Sequence, residues 1–359
     1  MEIILSFDSE DFVTPEAADA ELWWAEELRS RSLRGCFQCV AEMLRSLKRW
    51  GRQDVIEALS RHETDYHSNY HSIPPTHAHA LEGKTLAEGV DWVLRHEAGG
   101  LATHLETFGR MPVSYCQPGS SWTPATLLAM AAMGLKVFCG SPFRSLAGRL
   151  FWYCGLLTSQ YNLRIEEHFK AGNRRSASFE ADFKKRAREI GDDGLMVVFT
   201  HPTRLVTRAF WDKQFFCARS LALEDRQPAP LHSRRRIQQH KDCARACLDF
   251  LQERRNIHFT DFAAVYAKCA ASRRDLAALL AECSLAPGEE GHLPLIRNDG
   301  RAYLPPRAFE EIRWQWGPLP DGFTGHELRE QARRLAWTSA PASYPGRPGF
   351  LRRWHKNQP

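Results

Sequence analysis

Short apolar runs alternate with amphipathic stretches over the first 265 or so positions of the chain. Residues 3–7 (IILSF), 35–40 (GCFQCV), 112–116, 135–140 and 195–200 (LMVVFT) are nearly continuous apolar runs of strand length, the pattern of strands buried on both faces. Between them, 41–50, 54–60, 86–105, 124–133 (closed by Gly134), 182–190 and 235–255 carry helical spacing, and 257–260 predicts a last strand. Strand and helix in alternation predict an α/β fold with a parallel sheet or barrel and helices outside it. Residues 63–77 break the pattern: they are polar, rich in His, Tyr and Ser, and stopped by Pro74-Pro75. They read as a loop of the kind on which barrels build sites. From about Ser272 the pattern changes to a short helix, a Gly/Asp/Pro-rich stretch through Pro306, a helix near 327–337 and a basic Pro/Gly-rich tail. The expected division is therefore a barrel-type unit at 1–270 and a small C-terminal extension at 271–359 of unassigned role. No internal repeat is present.

Composition narrows the class. With 359 residues, 43% hydrophobic and 25% charged, the chain has the make-up of a globular protein with an ample core, and no run approaches the roughly 18 apolar residues of a membrane span. The first residues lack the basic start and apolar stretch of a secretory signal, so a cytoplasmic location is expected. The ten cysteines are scattered over predicted core elements rather than spaced as a disulfide framework, and free buried thiols are expected. Cys36 and Cys39 have C-x-x-C spacing, but on a strand positions i and i+3 face opposite ways. A net charge of +5 implies no acidic partner, and Arg234-Arg235-Arg236 lacks the aromatic interleaving of a nucleic-acid platform.

Three groups carry candidate chemistry. Asp8, Glu10 and Asp11 stand at the C-terminal end of the first strand, where barrel enzymes place catalytic groups. His67 and His71 form an H-x3-H pair that can reach one cation, with Glu63 four residues before it. With 15 histidines in 359 residues, one such pair is close to what chance supplies, so its weight comes from its company. Two imidazoles and one carboxylate leave positions open for water, as a catalytic metal requires. His201, after an apolar strand and before Pro202, has a side chain able to donate a proton near neutral pH.

The order Ser6-Phe7-Asp8-Ser9-Glu10-Asp11, Glu63-Thr64-Asp65-Tyr66-His67-Ser68-Asn69-Tyr70-His71, Gln117-Pro118-Gly119 and Val198-Phe199-Thr200-His201-Pro202 resembles the NodB-type polysaccharide deacetylase superfamily, carbohydrate esterase family four, over about residues 1–265. The resemblance implies a distorted parallel (β/α) barrel of seven or eight strands and a bound divalent metal, often zinc. It implies a hydrolase that removes acetyl groups from N-acetylated sugars. Asp8 then becomes the general base, Glu10 or Asp11 the acidic ligand with Glu10 preferred, His67 and His71 the imidazole ligands, His201 the general acid and the Gly119 N–H an oxyanion donor. Trp122 and Trp152 are candidate sugar walls, with a core role as the alternative for each. Cys116 stands where the family carries an arginine, Arg144 and Arg204 being candidate replacements, and the aspartate and tryptophan of the family's fourth motif have no evident match. Two rival readings follow: a weakened member that binds glycan without turnover, and a hydrolase of a non-sugar C–N bond.

Overall fold

A computed structural model describes residues 1–81, 84, 86–119, 121–140, 150–170, 175–215 and 221–272, together with 295–297 and 302–303. Its strands are β1 (Glu2–Ser9), β2 (Cys36–Cys39), β3 (Glu63–Tyr66), β4 (Ser114–Cys116), β5 (Val137–Cys139), β6 (Phe151–Tyr153), β7 (Leu156–Ser159), β8 (Tyr161–Arg164), β9 (Leu195–Thr200), β10 (His258–Thr260), β11 (Leu295–Arg297) and β12 (Ala302–Tyr303). The helices are α1 (Ala17–Ser30), α2 (Ala41–Arg49), α3 (Gln53–Ser60), α4 (His77–Leu81), α5 (Leu86–Phe108), α6 (Pro124–Ala132), α7 (Arg175–Ile190), α8 (Arg234–Gln252) and α9 (Phe262–Cys269).

The strands run in the order β8-β9-β1-β2-β3-β4-β5-β7, every neighbouring pair parallel. Only Gln160 separates β7 from β8, yet β7 pairs with β5 and β8 with β9. One bent stretch of chain, 156–164, therefore holds both ends of the sheet and nearly closes it. This resolves the seven-or-eight expectation: eight parallel segments, two of them carried by one stretch. The result is a distorted parallel (β/α) barrel. β6 folds back on β7 through Cys154-Gly155, whose φ values of 50° and 81° are the two positive angles a tight hairpin requires. β10 pairs with the outer end of β1, while β11 and β12 extend the sheet beyond β6. The latter, with residues 271 and 272, are the described part of 271–359; the helix expected near 327–337 lies outside the described residues.

Burial explains the apolar runs. Every residue of β9 is buried, as are seven of the eight in β1, since a barrel strand faces side chains within and helices outside. Cys36 packs in one core cluster and Cys39 in the other, as opposite strand faces demand, and both are free thiols. Several elements depart from the sequence reading, the short β6, β7 and β8 among them. Residues 63–66 form a fully buried strand rather than the start of a loop. A helix, α1, covers 17–30, burying Trp24 and Leu28.

Candidate metal-centred active site

The C-terminal ends of the parallel strands define the barrel mouth. β1 delivers Asp8 just before its end and Glu10 just after it, and their side chains share a face because strand positions alternate. Ser9 points the other way, donating to Glu21 Oε2 at 2.7 Å. β3 runs into His67, β8 into Glu166 and β9 into His201.

Glu10 meets both imidazoles of the H-x3-H pair. Its Oε2 lies 2.8 Å from His71 Nε2 and 3.4 Å from His67 Nε2, and all three side chains are buried. The opposite nitrogen of each ring is held from behind. His67 Nδ1 donates to the Cys116 carbonyl at 3.0 Å; His71 Nδ1 donates to Ser72 Oγ at 2.5 Å, and Ser72 Oγ donates to Asp212 Oδ2 at 2.6 Å. This network places a hydrogen on each Nδ1 and aims both Nε2 atoms at the same carboxylate oxygen. Among the described residues His67 Nε2, which is buried, has no hydrogen-bond partner, the condition of a ligand atom facing a cation. With metal–ligand bonds of about 2.0–2.1 Å in tetrahedral geometry, neighbouring donors stand about 3.3 Å apart. The two distances bracket that value, so the donor set suits a small divalent ion.

The loop carrying these histidines is bent for the purpose: Ser68 and His71 have φ of 74° and 52°, unfavourable for residues with a Cβ, and Ser68 Oγ accepts the His71 N–H at 3.0 Å. On the far side of Glu10, Trp211 donates its indole N–H to Oε1 at 3.1 Å. Burial penalises the Glu10 charge, but His71, His201 and His67 outweigh it and hold the carboxyl well below its usual range.

Asp11 is not part of this group. Its Oδ1 accepts the Val13 and Thr14 N–H groups, its Oδ2 accepts Thr203 Oγ1 at 2.7 Å, and burial lifts it to about 6. Of the two acids, Glu10 faces the imidazoles. Glu63 is also absent, and its expected place in the site is corrected. It begins β3 whereas His67 follows its end, about 13 Å away along an extended strand. There it accepts the Phe262 and Ala263 N–H groups at the start of α9, and burial with Asp65 beside it pushes it up to about 9.

Beside the Glu10 group stands an acid–base pair. His201 Nε2 faces Asp8 Oδ2 at 3.5 Å, while His201 Nδ1 pairs with Glu166 Oε1 at 2.6 Å. Burial works against charge on the ring, but Glu166, Glu10 and Asp8 together raise it to about 9. Asp8 and His67 each offer an atom within 4.8 Å of the other, and of Cys116 Sγ, so the pair and the imidazoles share one pocket.

Cys116 stands where the motif resemblance leads one to expect an arginine, and its carbonyl orients His67. Its thiol is pushed up by burial, with the Asp8 charge adding to the effect. The Asp8 carboxylate is instead gripped by Tyr161, whose hydroxyl donates to Oδ1 at 2.5 Å and lies 2.9 Å from Cys116 Sγ. Arg204 does not replace the arginine: it donates to the Thr207 carbonyl and stacks over Phe210. Arg144 lies outside the described residues.

Sequence reasoning missed Tyr161, Glu166, Trp211, Asp212 and Ser72. The pair Trp211-Asp212 was the one available signal, an indole donor and an acid side by side; it braces the Glu10 and His71 side rather than His201. Trp122 is corrected from a sugar wall to a core residue: it is 1% exposed and packs on Phe138. Trp152, at 3% exposed, is core as well. Gly119 lies exposed in the turn after β4 with φ of 51°, its carbonyl accepting from Gln117 Nε2.

No protein-family model matches the chain, and no curated protein sequence matches it. Solved structures do. The 4-alpha-glucanotransferase of Thermococcus litoralis superposes with a TM-score of 0.50 at 9% identity, over 74% of this chain and 40% of that one. This chain thus spans less than half of that enzyme's length. A putative polysaccharide deacetylase from Mycobacterium smegmatis gives a TM-score of 0.48 at 13% identity, over 75% of this chain and 90% of that one. A family 4 acetyl xylan esterase from Clostridium thermocellum, in complex with a cobalt ion, gives 0.41 at 13%, over 75% and 92%. At such identities the likeness is to the fold alone, a distorted parallel (β/α) barrel, and the chemistry belongs to the residues at its mouth.

Proposed function

We propose that this protein is a metal-dependent hydrolase that removes an N-linked acyl group, acetyl in the first instance, from a sugar or sugar derivative. The observation that carries the reading is the convergence at one barrel mouth of a Glu10-His67-His71 donor set and an Asp8-His201 pair. Glu10, His67 and His71 would hold the ion, zinc being the choice that fits a buried His2Glu set. A divalent cation there supplies a water acidic enough to ionise near neutral pH and a positive charge for a developing oxyanion.

The remaining roles belong to the chain. Asp8, held by the Tyr161 hydroxyl, takes the proton from the attacking water. His201 is kept protonated by Glu166 and gives its proton to the departing amine. The Gly119 N–H is the oxyanion donor. The grip of Tyr161 on Asp8 supports turnover over glycan binding alone, because the base remains oriented without the family's arginine. The sugar identity rests on the motif resemblance, and a non-sugar amide is its rival.

Acetate release from N-acetylglucosamine oligomers and from simple N-acetyl amides, with Asp8→Asn as control, tests the proposal. Release from the sugars, abolished in the control, is expected. Release from neither substrate by metal-loaded protein sinks the enzymatic reading, and release from the amides alone sinks the sugar assignment.

A further inference from the structure

A second cluster of ligand-type side chains lies between α5 and the loop after β3, and none of the steps above uses it. Glu97 on α5 is fully buried at 0% exposure. Its Oε2 accepts Tyr66 Oη at 2.5 Å and the Asn69 N–H at 2.8 Å, which fixes the plane of the carboxylate. Gly100, three residues further along α5, permits this approach, since a Cβ there would stand 2.1 Å from Tyr66 Oη. Oε1 is thereby left facing two imidazoles, His77 Nε2 at 2.8 Å and His96 Nε2 at 3.7 Å.

We propose that His77, His96 and Glu97 form a second site for a divalent transition-metal ion of the zinc class, distinct from the Glu10-His67-His71 group. The donor set is again two imidazoles and one carboxylate, and its distances of 2.8 and 3.7 Å bracket the tetrahedral spacing of about 3.3 Å, as those of the first group do. A plain hydrogen-bonded pair accounts for His77 but not for His96, whose nitrogen is aimed at the same oxygen from beyond hydrogen-bond reach. An ion between the three atoms accounts for both rings. Outer partners hold two of the three ligands: Tyr66 and Asn69 fix Glu97, and Trp92 stacks on His96 at 4.3 Å while lying T-shaped to His77.

His77 is 5% exposed; among the described residues its Nδ1 has no hydrogen-bond partner, and its polar contact is through Nε2. With neutral imidazoles the cluster carries the single negative charge of Glu97, which a dication overcompensates by one unit rather than two. A small cavity, with room for about one water-sized fourth ligand, is lined by His71, Thr76, His77, His96, Glu97 and Ser121, among others. The ion would pin the first residue of α4 and the middle of α5 to the loop that bends His71 into place.

The test is Zn2+ titration of metal-stripped full-length protein by calorimetry, with elemental analysis after desalting. Two ions per chain are expected in the wild type. His96→Ala and His77→Ala should each leave one, which Co2+ substitution should report as an unchanged first-site absorption spectrum. Glu10→Ala/His71→Ala should remove the other ion only. If His77→Ala fails to fold, His96→Gln serves, since His96 is partly exposed at the edge of the cluster. A single ion per chain, lost in Glu10→Ala/His71→Ala and untouched in His96→Ala, overturns the second site. A single ion lost only in His96→Ala leaves the second site standing and sinks the first assignment, so the two readings fail separately.

Discussion

Replacing Glu166 by Gln removes one charge beside His201 and changes little of its shape, which makes it a direct probe of the acid. The Glu166 carboxylate sits 2.6 Å from His201 Nδ1 and is the largest influence raising the His201 pKa to about 9 from an ordinary value near 6.5, against the opposing effect of burial. Glu10 and Asp8 supply the rest. A cation on Glu10 offsets its share, so Glu166 carries most of the shift in the loaded enzyme; a close buried opposite charge is worth about 1–3 pKa units. If His201 must be protonated to release the amine, the alkaline limb of kcat/KM against pH follows its titration in the free enzyme. In Glu166→Gln that limb should move down by about 1–2 units. The loss should be about twofold to tenfold at pH 8, about fivefold to fiftyfold at pH 9, and small at pH 6. Linkage gives a second readout. A cationic group whose folded pKa is raised contributes stability that is complete below the unfolded value near 6.5 and is lost as pH rises through about 9. The contribution is about 3 kcal/mol for the full shift, and it should shrink in Glu166→Gln when urea unfolding is followed from pH 5 to 10. An unmoved alkaline limb, with metal content and fold intact, would refute the assignment of His201 as the acid.

Tyr161→Phe removes the hydroxyl that grips Asp8, and kcat should fall about tenfold to a hundredfold with metal content unchanged by elemental analysis. Trp211→Phe removes the N–H on Glu10 Oε1 while keeping an aromatic ring against Phe12, and calorimetry should show Zn2+ affinity falling about 10–100-fold. At Glu63, burial and the Asp65 charge favour the protonated form, so stability from this residue fades as pH rises toward about 9; the melting temperature of Glu63→Gln measured against wild type should shift in the variant's favour from pH 5 to pH 9. Glu63→Ala should instead cost about 1–3 kcal/mol by leaving the Phe262 and Ala263 N–H groups without acceptors. Trp122→Ala should destabilise by about 3–5 kcal/mol in denaturant, and a change in KM without loss of stability would contradict its core placement.

Most of the eight parallel strands were legible because a barrel strand is buried on both faces and must be apolar, as 195–200 is. β3 was not, because Glu63-Thr64-Asp65-Tyr66 is polar and its partners are remote. Asp65 accepts from the Val113 and Ser114 N–H groups, Tyr66 donates to Glu97, and Glu63 receives the start of α9. Nothing adjacent in sequence announces that these polar groups are satisfied, so the segment reads as a loop. The short β6, β7 and β8 escaped for a related reason: their place comes from closing the barrel between β5 and β9 rather than from a strong periodicity of their own.

The order of residues alone sets which side chains are on offer: acids after the first strand, two histidines four apart, a histidine before proline after an apolar strand. Those follow from local pattern, because strand alternation puts Asp8 and Glu10 on one face whatever the rest of the chain does. Tertiary structure decided which of them act together. It turned Asp11 inward to the Val13 and Thr14 amides, left Glu63 at the far end of β3, and buried Trp122 in the core. It also brought Tyr161, Glu166, Trp211 and Asp212 behind the reactive groups from up to about two hundred residues away. Ligand roles depend on where the second nitrogen or oxygen of each group is anchored, and those anchors exist only once the barrel is closed.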